Sequence, residues 1–274
     1  MTEPWTEVGE RVFVRRYRTW NGEPFDQNIG AILGTEGVVV VDTRGSHRLA
    51  DELRDDLARL TRQPIAAVVN THHHWDHTWG NARFEEAPIW GHVRCAERVA
   101  ADSATALHRV VAQVPALAVE LGEVVATPPD HTFADAATVD LADRQVALRH
   151  IGRGHTDNDI VVVVPDASVL FAGDLLENDA PPSFGDAYPL AWAETAARLV
   201  ELVDGAVVPG HGGVGDRAFA ERQAAELAEI ATLVRAVASG SLDREDAMRR
   251  SPFPAQPTEQ ALDRGAEELE AVRA

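Results

Sequence analysis

A chain of 274 residues, 45% hydrophobic and 25% charged, can bury a substantial core and has the composition of a soluble globular protein. Its formal net charge is −19 and every basic residue is arginine, which disfavours nucleic acid as a partner and excludes Schiff-base chemistry or a lysine anchor for a substrate carboxylate. The single cysteine, Cys95, cannot close an internal disulfide, and an acidic start with no apolar run of membrane-spanning length predicts a cytoplasmic protein without a membrane partner.

In chain order, the apolar patterns predict strands over 12–16, 29–33 and 38–42, the last two joined by a turn at Gly34-Thr-Glu-Gly37. Between the first two lies Thr19 to Phe25, a Gly/Pro-marked loop carrying Trp20 and Phe25. It reads either as a flap over a substrate or as aromatics packed on a neighbouring strand. Asp42 ends a wholly apolar strand, where a lone buried carboxylate needs a hydrogen bond or a nearby cation. Residues 46–60 repeat leucine near the helical period behind a Ser46 cap, and a strand follows over 65–70. A short helix is predicted from Trp79, a strand over 88–91, and a helical insertion over about 92–121, interrupted near Asp102-Ser103 and Pro115.

The second half repeats this plan. Strands are predicted over 137–141, 145–150, 160–164 and 169–173, then a helix over 189–202, a strand over 206–208 and a helix over 219–238. Helical C-terminal packing covers about 215–274, so the expectation is one domain over 1–274. Two β-rich halves with helices outside imply an α/β fold, a four-layer αββα sandwich of two mixed β-sheets.

The chemistry centres on residues 71–77, Thr-His-His-His-Trp-Asp-His. Imidazole nitrogens and a carboxylate crowded together are the ligands that borderline divalent ions accept. A polar tag would be terminal and would not follow a strand. Two-residue alternation puts His72 and His74 on one side of an extended exit, able to share one ion. Asp76 and His77, beyond the turn, can serve a second ion, whereas His73 takes the alternate position and is expected to face away. Three further donors stand near strand ends: His155 in Gly-His-Thr, Asp174 in Gly-Asp and His211 in Pro-Gly-His-Gly.

This ordered set of motifs, spanning about Val12 to His211, resembles the metallo-β-lactamase superfamily. The resemblance implies two divalent metal ions, zinc first, with iron or manganese admitted by a carboxylate bridge. One ion would be held by His72, His74 and His155, the other by Asp76, His77 and His211, with Asp174 between them and Asp42 supporting the ligands from behind. It implies a hydrolase in which a hydroxide between the metals, oriented by Asp76, attacks an activated acyl bond. Class B β-lactamases usually carry cysteine where Asp174 stands, while glyoxalase II and lactonases carry aspartate. Glyoxalase II also uses lysine near its C-terminus, which this chain lacks. The expected substrate is therefore a small ester, lactone or thioester, received by Trp20, Phe25, Trp75, Trp79, Phe184 and Tyr188. A β-lactam hydrolase and a mononuclear-iron persulfide dioxygenase of the same fold are the alternatives, with a non-catalytic metal-binding protein behind them. The oligomeric state is not legible in the sequence.

Overall fold

The computed structural model describes residues 4 to 20 and 23 to 273, with positions 19, 23 to 25, 113, 272 and 273 described by backbone alone. Strands β1 (Thr6–Gly9), β2 (Val12–Trp20), β3 (Glu23–Leu33) and β4 (Val38–Val41) form an antiparallel meander. Helix α1 (His47–Leu60) starts at Ser46, whose hydroxyl accepts from the Leu49 N–H at 3.2 Å. It crosses over so that β5 (Ile65–Val69) lies parallel to β4. After the short α2 (Trp75–Thr78), β6 (Ile89–His92) continues the parallel part. The helices α3 (Val93–Gln113) and α4 (Ala118–Gly122) intervene before β7 (His131–Phe133) closes the sheet.

The second sheet runs antiparallel through β8 (Ala136–Asp140), β9 (Gln145–Arg149), β10 (Val161–Val164) and β11 (Val169–Glu177). Helix α5 (Pro189–Leu202) then returns the chain so that β12 (Ala206–His211) pairs parallel to β11. Helices α6 (Arg217–Ala238), α7 (Arg244–Arg250) and α8 (Ala255–Arg273) complete the fold. Both sheets are mixed, of seven and five strands.

Alternating side chains give each sheet two apolar faces, and all are covered. Val14, Ile32, Val39 and Val69 of the first sheet meet Leu148, Val162 and Phe171 of the second. Ala50, Leu53 and Leu57 of α1 cover the outer face of the first sheet beside Val40 and Val68. Trp192, Leu199, Leu227 and Leu262 of α5, α6 and α8 cover the second. The result is the αββα sandwich that the patterning predicts. A buried carboxylate ties the C-terminal helix in: Glu268 accepts from the N–H groups of Leu190 (2.8 Å) and Ala191 (3.2 Å) at the start of α5, where the helix dipole favours a negative group. No helix among the described residues is long and apolar enough to cross a membrane.

Four details differ from the sequence reading. Strands β1 and β7 were not foreseen, being short and half polar. Helix α3 passes unbroken through Asp102 and Ser103, the Ser103 hydroxyl donating back to the Val99 carbonyl within the helix. Strand β11 continues beyond Asp174 to Glu177, its pairing with β12 shifting in register around Gly173, which takes a left-handed φ of 54°. The expected flap at 19–25 is a hairpin whose strands reach Trp20 and resume at Glu23. Asn21 and Gly22, and the Phe25 side chain, lie outside the described residues.

Gly80, just after α2, packs against the Thr43 carbonyl so closely that an added Cβ would collide with backbone. Gly80→Ala is expected to destabilise the fold by about 1–3 kcal/mol through overpacking. The comparison is Gly122→Ala, whose Cβ meets nothing within 4 Å. Denaturant midpoints of both variants check it, and equal midpoints would contradict the close approach.

Candidate metal centre

The seven predicted donors come together from the exit of β5, the loop between β9 and β10 that carries His155, β11 at Asp174 and the end of β12 at His211, with Asp42 behind them at the end of β4. Asp42 follows β4 with a left-handed φ of 65° and turns its buried carboxylate toward the exit of β5. Its Oδ1 accepts from the Thr71 N–H, and its Oδ2 from the Thr71 hydroxyl and from His77 Nδ1, each at 2.8 Å. The Thr71 hydroxyl has spent its hydrogen on Asp42, so at 3.1 Å it accepts from His72 Nδ1. One carboxylate thereby orients two imidazoles, and it does so from behind.

The other histidines are tied in the same sense. His74 Nε2 donates to Asp186 at 3.1 Å, His155 Nδ1 to the Ser183 carbonyl at 3.2 Å, and His211 Nδ1 to the Asp26 carbonyl. The His155 loop is folded around buried Asp159, which accepts from the Gly154 N–H (3.1 Å), the Thr156 N–H (2.8 Å) and the Thr156 hydroxyl (2.7 Å). Burial raises the Asp159 carboxyl to about 7. Asn28 holds the turn before and after His211 by donating to the Pro209 and Gly212 carbonyls at 2.9 and 2.8 Å.

With one nitrogen of each ring committed as a donor, the other carries a lone pair, and these lone pairs converge. His74 Nδ1 and His155 Nε2 are 2.8 Å apart, and His77 Nε2 and His211 Nε2 are 3.4 Å apart. His72 Nε2 and Asp174 Oδ1 are buried without a hydrogen-bond partner. Asp174 lies between the groups, 3.3 Å from His77 and His211, 3.5 Å from His155 and 3.7 Å from His72. Asp76 lies 3.3 Å from both His77 and His211. Lone pairs facing one another at these distances repel unless a cation sits among them. His72, His74, His155 and Asp174 could hold one ion, and Asp76, His77 and His211 another. The acid–base balance agrees with cation binding: burial lowers His72 well below the ordinary imidazole value and His155 to about 4. At His77 and His211 burial also lowers, but Asp174 and Asp76 outweigh it and raise both. The carboxylates that would draw protons onto these two rings would draw a metal ion equally.

The centre opens into a cavity of about 1290 Å³. Trp75, Trp79 and Tyr188 line it. Trp20 and Phe184 do not, contrary to expectation. Trp20 is 1% exposed, stacked 5.2 Å from Trp75 and held by a 3.1 Å bond from its indole N–H to Glu120. Phe184 is buried between Trp192 and Phe253 at ring distances of 5.2 and 5.7 Å. Each aromatic is more valuable as core than as wall, because its burial removes a large apolar surface from water.

His73 also departs from expectation. It belongs to neither of those two groups, but it does not face away from the cavity, and with His74 and Asp186 it forms a third cluster of possible ligand atoms. Its Nδ1 accepts from the Asn158 amide at 2.9 Å and its Nε2 lies 3.6 Å from Asp186, with burial lowering its pKa to about 3. Asp186, which the sequence reading missed, sits in the loop after β11 where no local pattern marks it. Burial raises its carboxyl, but its interaction and hydrogen bond with His74 outweigh this and hold it low. Asp186→Ala is expected to weaken metal binding roughly 10- to 100-fold by freeing His74, and His73→Ala to leave metal content nearly intact. Chelator competition on both variants checks this, and a large loss of metal from His73→Ala would contradict it.

The family model of the metallo-beta-lactamase superfamily matches residues 22–211. A metallo-beta-lactamase type 2 of Bacillus cereus is 27% identical over 204 residues, covering 72% of this chain and 72% of that protein. An acyl-coenzyme A thioesterase, MBLAC2, of Gallus gallus is 28% identical over 205 residues, covering 67% and 72%. Among solved structures, a metallo-beta-lactamase from Pontibacter korlensis superposes with a TM-score of 0.66 at 23% identity, covering 83% of this chain and 99% of that one, a likeness of fold. The matched segment runs through all seven donors, and the chain belongs to the metallo-β-lactamase superfamily as a metal-dependent hydrolase.

Proposed function

We propose that the chain holds two divalent ions, zinc by preference, and hydrolyses the activated acyl bond of a small ester, lactone or thioester. The observation that carries this reading is the convergence of proton-free nitrogens on two neighbouring points, with the buried, unpartnered Asp174 Oδ1 and His72 Nε2 facing the space between. Ions bound there would supply Lewis acidity, which lowers the pKa of coordinated water to about 7 and polarises a carbonyl.

The chain's own groups do the rest. Asp76 lines the cavity as well as the second donor group. It is placed to accept a proton from the attacking water and to orient it toward the acyl carbon. Asp174, with an oxygen toward each group, balances charge between the two sites. Trp75 and Trp79 form an apolar wall beside the reacting bond, where an acyl group is received and bulk water is displaced. The thioesterase relative supports a thioester among the substrates. β-Lactam hydrolysis is the second reading, favoured by the matched relatives of that name. Against it stand the aspartate at 174 and the absence of lysine for a β-lactam carboxylate.

The test is a hydrolysis screen of zinc-reconstituted protein over aryl esters, lactones, thioesters and β-lactams. Turnover of at least one of the first three classes is expected, with β-lactams weak or inert; efficient turnover of penicillins with every ester inert would reverse the order of the two readings. Asp76→Ala is expected to lose most activity while circular dichroism stays native.

Elemental analysis is expected to give two ions per chain, and Asp174→Ala to lose more than one ligand's worth of affinity, since it removes negative charge from between two cations. The site of Asp76, His77 and His211 should empty first. A fully active protein with a single iron per chain would favour an oxygenase instead.

A further inference from the structure

Helix α3 forms one wall of the cavity, presenting Arg98, Asp102, Ala106 and Arg109 to it at helical spacing. The charged side chains lining the cavity are nearly all committed. Arg98 pairs with Asp102 and Asp157, Arg264 with Glu267 and the Ala187 carbonyl, and Asp26 and Asp179 share Arg16. Among the described charged residues of the wall, Arg109 alone makes neither an ion pair nor a hydrogen bond.

Its position along the helix gives that guanidinium a meaning. Asp157, two residues past His155, pairs with Arg98 of α3 at 3.4 Å. Arg109 is eleven residues further on, about 16 Å at 1.5 Å per residue. Beside Arg109 the wall is apolar: Trp75, Trp79, Ala106 and Val110 pack in one cluster and all line the cavity, with Asp102 and Ser103 between them and Arg98 along the helix. One cavity therefore joins the donors, an apolar and aromatic stretch and an uncommitted guanidinium.

We infer that the substrate is an elongated acyl compound whose far end carries a carboxylate, held by Arg109 while the acyl bond lies at the metal centre. The inference rests on the hydrolase reading and names its substrate class. A guanidinium grips a carboxylate through two parallel N–H bonds. A single negative charge suits the site better than a phosphate dianion, because carboxylates outnumber arginines along the walls. Arg109 stands outside the donor groups and would bind the substrate without touching the reacting bond, so its effect belongs in KM.

The experiment compares mono-4-nitrophenyl suberate, which ends in a carboxylate, with 4-nitrophenyl octanoate, its uncharged counterpart, on zinc-reconstituted protein. Arg109→Ala is expected to raise KM for the suberate ester about tenfold relative to the octanoate ester, with kcat little changed. Arg109→Lys should retain part of the preference and Arg109→Glu should reverse it. Binding of suberanilic acid and octananilide, read by tryptophan fluorescence, gives the same comparison without turnover. Hydrolysis of both esters with no dependence on Arg109 overturns this inference and leaves the hydrolase reading standing. Arg109-dependent binding of suberanilic acid with no ester hydrolysed supports the anion site and counts against the hydrolase. If Arg109→Ala changes neither binding nor KM, Arg109 is a solvated surface residue and the inference fails.

Discussion

Asp42 sits where a valine strand ends, with a backbone conformation that side-chain-bearing residues seldom take, and its carboxylate receives a hydrogen from His77 and two from Thr71. Through Thr71 it also sets the ring of His72. The consequence is directional: the hydrogens of these rings point away from the centre, and their lone pairs point into it. Asp186, the Ser183 carbonyl and the Asp26 carbonyl repeat the arrangement for His74, His155 and His211. An array of inward lone pairs costs free energy in a buried site unless a cation joins it, so the fold commits the centre to metal before any metal arrives.

The sandwich makes that commitment affordable. Valine and isoleucine faces of two sheets close on one another, and α1 on one side and α5, α6 and α8 on the other cover what remains. Rigid strands then deliver donors from four separate points of the chain to one end of the sandwich. Loop segments do only the last part of the positioning, as at Asp159, whose carboxylate closes the turn that presents His155. The same division of labour builds the cavity walls: Trp75 and Trp79 follow the ligand run and pack with α3, and α8 contributes further lining residues.

The alternation of β-branched residues, the leucine spacing over 46–60 and the ordered His, Asp and Gly motifs made the layer architecture and the seven donors legible without coordinates. Those features are local: a period of two or 3.6 residues is written in the chain, and a run such as His72 to His77 has few other uses. Register around Gly173 and the short strands β1 and β7 were not legible, because each depends on a partner outside its own segment.

The aromatics divide along the same line. Trp20, Phe184, Trp75 and Tyr188 look equally suited to a pocket in sequence, but packing sends the first pair into the core and leaves the second pair on the cavity wall. Asp186 and Arg109 carry no motif at all, and His73 sits inside one without belonging to its two predicted ligand sets. The sequence by itself determined the fold class and the set of candidate donors, since both follow from residue type and spacing. Only the tertiary structure decided which ring nitrogen faces inward, which oxygen stands behind each histidine and which arginine of the cavity wall is left uncommitted, because those are properties of contacts between segments up to 185 residues apart.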